Sequence, residues 1–433
     1  MPTMAPCLNR RLSLFHCLLV IPSLVLALAT VESSQAAAPE KAASQAAIQQ
    51  LQKYLKLPVG ERMPLAEQAF SQVPLTGQDA KTAQQLLWQS YLLHLKQSRK
   101  QEMDARKIKH GDLEMPFFYT KFGNKPASGR SMYISMHGGG GAPKQVNDQQ
   151  WENQKRLYRL PEGVYVVPRA PTNTWNLWHQ GHIDPMFQRL IQNLIVFEDV
   201  DPNRVYIMGY SAGGDGAYQL APRMADRLAA AAMMAGHPNE ASPLGLRNIG
   251  FTIHVGGKDA AYNRNKVAAS WGSQLAALRK QDPGGYRHLV KIYPNKGHWM
   301  DREDAAAIPW MAEFRRNPLP DRVVWRQDDV THNRFYWLAV DDKNKRRGSV
   351  VEVSVKNQQI EIKKLQGIEQ LILRANDQLV DLDQPITVSF NGKQLFHGNL
   401  TRTVAVIEKT LVERGDPASV FSAEITVSTT TSE

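Results

Sequence analysis

Gly209-Tyr210-Ser211-Ala212-Gly213 stands between an apolar run, Val205–Met208, and a stretch that reads as a helix. Small residues at both ends let the chain turn sharply, lifting the serine hydroxyl clear of a strand end and toward the positive end of the next helix. The motif alone would also describe an ordinary glycine-rich turn, and it is the strand–turn–helix setting that marks Ser211 as a nucleophile. A serine needs a base, and the base needs a carboxylate to orient it. Of the 12 histidines, His298 lies in a loop after the last apolar run of the central region, and Asp259 follows the run ending at Val255. Asp301 and Asp215 compete for the acid role. Asp301 is too near His298 in sequence to brace the far side of its ring, and Asp215 belongs to the helix after the nucleophile. Ser211, Asp259 and His298 are therefore the expected catalytic set.

A second cluster, His137-Gly138-Gly139-Gly140-Gly141, follows the run Tyr133–Met136. Successive glycines expose backbone N–H groups to an approaching anion, as an oxyanion hole requires. A phosphate cradle is the rival reading, but the Gly-Lys-Ser/Thr ending of a P-loop and the spacing of a dinucleotide fingerprint are both missing. Gly138, Gly139 and Gly140 are the expected donors, with the Ala212 N–H.

The loop Arg169–His179 carries two tryptophans, Trp175 and Trp178, which either wall a pocket or pack the loop. With His179 and Tyr210 they are the candidate substrate-binding residues, and His237 is a weaker one. His179, His182 and Asp184 have metal-ligand chemistry, but no second spaced cluster accompanies them, so loop hydrogen bonding is preferred and neither metal nor cofactor is expected.

These residues need a scaffold whose strand ends converge. Between about Met115 and Pro318, short apolar runs at 133–136, 164–167, 205–208, 230–234, 251–255 and 289–293 alternate with amphipathic stretches such as that carrying Phe187, Leu190, Ile191 and Leu194. This pattern predicts a mostly parallel sheet covered on both faces, with ligands beyond the carboxyl ends of its strands. The preceding region is helical, and Thr76-Gly77-Gln78-Asp79 is a capping box opening a long helix. After Pro318-Leu319-Pro320 the pattern becomes strict alternation, with Asn391-Gly392 as a hairpin turn and one helix from Thr403 to Arg414. The expected organisation is a leader over 1–36, a helical segment over 37–110, a catalytic α/β domain over 111–318 and a β-rich, sandwich-like domain over 319–433.

The central segment resembles the α/β-hydrolases, and among them the secreted esterases related to polyhydroxybutyrate depolymerases and feruloyl esterases. The resemblance rests on His137–Gly141, Gly209–Gly214, Asp259 and His298. It implies that Ser211 attacks an ester carbonyl, His298 shuttles the proton and water releases the acyl-enzyme. Both flanking segments depart from a minimal esterase of this kind.

Composition narrows the setting. With 42% hydrophobic and 21% charged residues, wholesale disorder and a polytopic membrane protein are excluded. Both cysteines, Cys7 and Cys17, fall in the first stretch, where Arg10 and Arg11 precede the apolar run Leu14–Ala29 and Ser34-Gln35-Ala36 offers a cleavage site. A cleavable leader into the periplasm or medium is expected, leaving no stable membrane span; an uncleaved anchor and lipidation at Cys17 are the rivals. Lys+Arg 52 against Asp+Glu 41 is a basic balance, but no dense basic run carries interleaved aromatics, so nucleic acid is not an expected partner. A small-molecule or polymer-linked ester is the expected substrate, with polysaccharide contact through the C-terminal region. A serine peptidase of the same fold, or a non-catalytic surface or glycan binder, are the alternatives.

Overall fold

The structure is a computed structural model that describes residues 32–428, with side chains from Glu40 onward. The apolar run and both cysteines of the expected leader lie outside the described residues. No helix among the described residues is long and apolar enough to cross a membrane.

The chain opens with α1 (Glu32–Lys56), α2 (Gly77–Ser98) and the short α3 (Lys100–Ala105). The Thr76 hydroxyl accepts the Asp79 N–H at 3.1 Å, which is the cap the sequence predicts for α2. An antiparallel pair follows, β1 (Lys107–His110) and β2 (Leu113–Phe122). The central α/β run is then β3 (Arg130–Met136), α4 (Lys144–Gln154), β4 (Gly163–Pro168), α5 (Ile183–Glu198), β5 (Val200–Tyr210), α6 (Ala212–Arg223) and β6 (Ala230–Met234). It closes with β7 (Gly250–Gly256), α7 (Arg264–Gln281), β8 (His288–Tyr293) and α8 (Ala307–Ala312).

The eight strands form one sheet in the order β1-β2-β4-β3-β5-β6-β7-β8, parallel from β4 to β8 and antiparallel at the β1–β2–β4 edge. Each apolar run named from the sequence is one of these strands. Side chains alternate between faces, so each strand feeds two cores. Ile134, Val166, Ile207 and Met233 pack with Phe187 and Leu190 of α5, Leu220 of α6 and Trp271 of α7. Tyr133, Tyr165, Tyr206 and Met208 point the other way, toward Trp151 of α4 and Ile308 and Met311 of α8. Strand order reverses between β3 and β5, and that is where a doubly wound sheet opens its crevice.

Among the described residues the last region holds nine strands: β9 (Arg322–Arg326), β10 (Arg334–Phe335), β11 (Leu338–Ala339), β12 (Val350–Lys356), β13 (Gln359–Gln366), β14 (Gln370–Ala375), β15 (Ile386–Phe390), β16 (Lys393–Gly398) and β17 (Ala423–Ser428). They form a five-stranded sheet, β16-β15-β13-β12-β9, and a four-stranded one, β10-β11-β14-β17. Trp325 of the first stacks on Phe335 of the second with centroids 5.9 Å apart. Asn391 and Gly392 both have positive φ, 50° and 76°, as a two-residue hairpin turn requires. α9 (Val404–Arg414) has Thr403 as N-cap and Gly415 in the left-handed region as C-cap. This region shares a continuous core with the α/β sheet, and α9 packs Ile407 and Leu411 against Leu51, Ala83 and Leu87 of α1 and α2.

Candidate active site

β3 and β5 are neighbours in the sheet, with Met136 paired to Gly209 in register. The glycine loop and the serine turn therefore leave the sheet side by side. Ser211 sits at φ 57° and ψ −119°, a strained turn that lifts its hydroxyl above the strand end. The flanking glycines are dictated by contact. A Cβ on Gly209 would lie 2.0 Å from Gly213 O, and one on Gly213 would lie 2.2 Å from Met136 O.

The loops after β7 and β8 bring the other two groups across. Lys258 N donates to Lys296 O at 2.9 Å and Gly257 N to Tyr293 O at 2.7 Å, lacing the two loops together. His298 Nε2 lies 3.0 Å from Ser211 Oγ and its Nδ1 lies 2.7 Å from Asp259 Oδ2. Asp259 is 2% exposed. Arg264 at the start of α7 faces its other oxygen at 3.5 Å. The competing acids are elsewhere: Asp301 pairs with Lys296 at the surface, and Asp215 accepts the His237 N–H at 2.6 Å. This chain of contacts lets the carboxylate orient an Nδ1–H and leaves Nε2 free to take the serine proton.

The predicted oxyanion donors divide. Gly139 and Ala212 line a cleft of about 500 Å³ above Ser211, and neither N–H has an acceptor within the protein among the described residues. Gly140 also lines it, but its N–H is taken by Asn147 Oδ1 at 2.8 Å. Gly138 is buried, where a Cβ would stand 3.3 Å from both Ser211 Cβ and Tyr210 O. Gly140 is thus corrected from donor to loop anchor, while Gly138 lies against the Ser211 turn outside the cleft lining. Below them, His137 is fully buried, accepts the Ala170 N–H at Nε2 and faces Gly138 O with Nδ1 at 2.6 Å. Burial pushes its ring down to about 3, so it is neutral.

The pocket candidates also divide. Trp175 is 62% exposed and lines the cleft. Trp178 is 0% exposed and donates its indole N–H to His137 O at 2.8 Å, so it supports the glycine loop from beneath and cannot wall the cleft. His179 is buried and meets Trp175 edge-on with centroids 5.3 Å apart, outside the cleft lining. Tyr210 is buried outside the cleft lining, and its hydroxyl bonds His298 O and Met300 N, so it holds the loop that carries His298. Asp184 lies in the first turn of α5, engaged by Arg223 of α6 at 2.6 Å and by His332 at 3.0 Å. His237 does reach the cleft.

Tyr262, Arg264 and Asn147 were not singled out from the sequence. Tyr262 is 76% exposed at the cleft mouth, with the Arg264 guanidinium 4.8 Å from its ring centroid. Asp215, half-buried in the cleft wall, is pushed up to about 7 by burial, against the pull of the His237 N–H and Arg264. No local pattern marks Asn147 in its polar stretch; only the neighbouring glycine run hints that something must hold the loop.

Residues 168–313, which include Ser211, Asp259 and His298, match the Dienelactone hydrolase family. This core has the α/β-hydrolase fold. The expectation of a serine hydrolase acting on carboxylic esters agrees with that family. No curated protein matches the chain. Among solved structures, a thermostable esterase is 17% identical, with 48% of this chain and 62% of that chain covered at a TM-score of 0.39. A ferulic acid esterase is 15% identical over 46% of this chain and 97% of its own, at 0.32. A carboxylesterase from Mesorhizobium loti is 16% identical over 48% and 99%, at 0.33.

Proposed function

We propose that the protein is an exported serine esterase in which Ser211, His298 and Asp259 act as a catalytic triad through an acyl-enzyme. The observation that carries this reading is the unbroken contact chain from Ser211 Oγ through His298 to Asp259, 3.0 and 2.7 Å long. Ser211 Oγ attacks the ester carbonyl while His298 Nε2 takes its proton. The oxyanion settles against the Gly139 and Ala212 N–H groups, which need not reorganise as charge develops. His298 then protonates the departing alcohol. Water, deprotonated by the same nitrogen, attacks the acyl carbon and returns Ser211. Asp259 keeps the imidazole in the Nδ1–H tautomer and stabilises the imidazolium between steps.

The cleft mouth favours a substrate presented from a larger body. Trp175 and Tyr262 line it at 62% and 76% exposure, which suits contact with a planar or sugar-like group and leaves an entrance for a polymer-linked ester. The β-rich region is proposed to contact such a polymer. Export rests on the leader expected at the N-terminus.

The test is turnover of aryl esters of increasing acyl length, a feruloyl ester and a peptide anilide, with Ser211→Ala in parallel. Ester hydrolysis abolished by Ser211→Ala supports the proposal. Anilide cleavage in preference to esters would make the protein a peptidase, and no Ser211-dependent turnover on any substrate would remove the catalytic reading.

A further inference from the structure

A second cavity of about 270 Å³ lies where α5, the end of α6 and the β-rich region meet, and its lining shares no residue with the catalytic cleft. Five arginines face it (189, 223, 227, 334 and 414) against two aspartates, 184 and 226. Both acids are already engaged: Asp184 by Arg223 and His332, and Asp226 by Arg414. Arg189 is held by Glu102 at 2.8 Å.

Arg227 and Arg334 are different. Arg227, in the turn after α6, is 2% exposed, and only its Nη1 is occupied, by Arg414 O at 3.2 Å and Asp416 at 3.5 Å. Asp416 takes a closer bond, 2.6 Å, from Arg316. Arg227 Nε and Nη2, and Arg334 Nε, are buried with no hydrogen-bond acceptor, while Arg334 Nη2 donates to Gln188 Oε1 at 3.0 Å and its Nη1 stands 3.7 Å from Glu413. Burial lowers Arg227 to about 9 and Arg334 to about 10, with Arg414 adding to both against the pull of Asp416 and Glu413. Guanidinium donors are costly to bury unpaired, and an arginine does not shed its proton to escape that cost.

We propose that this cavity is a binding site for a tetrahedral oxyanion, a phosphate or sulfate group free or as a monoester, gripped by Arg227 and Arg334. One guanidinium fork suffices for a planar carboxylate, whereas donors arriving separately from the α6 turn and from β10 suit a tetrahedral ion approached from two sides. The volume leaves room beside the anion for a small esterified group. Because its donors come from both the α/β core and the β-rich region, the bound anion clamps one to the other. The site is independent of the esterase reading.

Isothermal titration of the purified protein with inorganic phosphate and with glycerol phosphate, at ionic strength fixed with chloride, tests this. Saturable binding near one equivalent is expected, accompanied by a rise in Tm. Both effects should weaken at least tenfold in Arg227→Gln and in Arg334→Gln. Tighter binding of glycerol phosphate would assign an organic monoester as the ligand, and equal or weaker binding the free ion. No saturable heat above the chloride control, or undiminished affinity in the variants, overturns the proposal. Should Arg227→Gln fail to fold, Arg334→Gln decides alone, because that side chain is 15% exposed and outside the catalytic machinery.

Discussion

The phenol of Tyr210 donates to the backbone carbonyl of His298, and the same oxygen accepts the Met300 N–H at 3.2 Å. The residue immediately before the nucleophile thus pins the loop that carries the base. Tyr210→Phe deletes both bonds at nearly constant volume. It should lower kcat by about 10- to 100-fold with KM little changed, since misplacement of a catalytic group by a fraction of an ångström acts on the chemical step. A proportionate rise in KM with kcat intact would place Tyr210 in substrate binding after all.

Removing members of the proposed triad should be far more severe. Ser211→Ala and His298→Ala are expected to cost about four to six orders of magnitude in kcat without loss of folding. Asp259→Asn should cost about 10⁴ by favouring the wrong imidazole tautomer. Asp301→Asn, whose carboxylate faces Lys296 at the surface, should be nearly silent. Steady-state kinetics of the four variants, with circular dichroism to check folding, decides; the reverse ranking of the two aspartates would exchange their roles.

Asn147 is the anchor of the glycine loop, accepting from Gly140 N at 2.8 Å and donating to Ala142 O at 3.0 Å. Asn147→Ala should release the loop and lower kcat by about 10²-fold through loss of a fixed oxyanion donor. Gly139→Ala should be at least as damaging, because its Cβ would meet Asn147 Oδ1 at 2.2 Å from a backbone at φ 109°. Wild-type rates in both would move the oxyanion site away from this loop.

Stability should respond to pH in two opposite ways. His137 and His254 are buried and held down to about 3, so the folded state keeps them neutral where the unfolded chain would protonate them. Their contribution is complete above about pH 6.5 and is lost on acidification toward 3, at up to about 1.4 kcal/mol per pH unit for each. Asp215, raised to about 7, runs the other way: the native state retains its proton, so stability is lost as pH climbs from about 4 to 7. Asp215→Asn, still able to accept the His237 N–H, should therefore gain Tm over the wild type at pH 8 and not at pH 4.5. Thermal melts of both proteins across that range provide the check.

Much of the fold and of the site is legible in the sequence, for identifiable reasons. Six strands of the sheet were continuous apolar runs, and the elbow needs glycines at 209 and 213 because backbone atoms stand about 2 Å from where a Cβ would be. The pair β1 and β2 escaped because Lys107–His110 has only Ile108 buried and adjoins a helical pattern. Trp178 illustrates the limit at the site. Its type suits a pocket wall equally well, and only the fold shows that its indole N–H is spent on His137 O. Gly140 failed as a donor for a similar reason, since its partner Asn147 sits on another element. Cross-element hydrogen bonds leave no periodic trace.

Gln84 in α2 donates to Pro417 O, a bond spanning 333 positions, beside the shared core of α1, α2 and α9. On a ribosome, α1 and α2 therefore have no permanent resting place until α9, more than 300 positions later, has been made. Such long loop closures are slow, and an interim chain must keep Leu51, Leu87 and their neighbours from sticking to other molecules while it waits. A shortened chain ending before Val404 would be held in that waiting condition indefinitely, with a complete set of catalytic side chains and an open apolar flank. Its defect would show as aggregation, long before any fault in the chemistry could be measured.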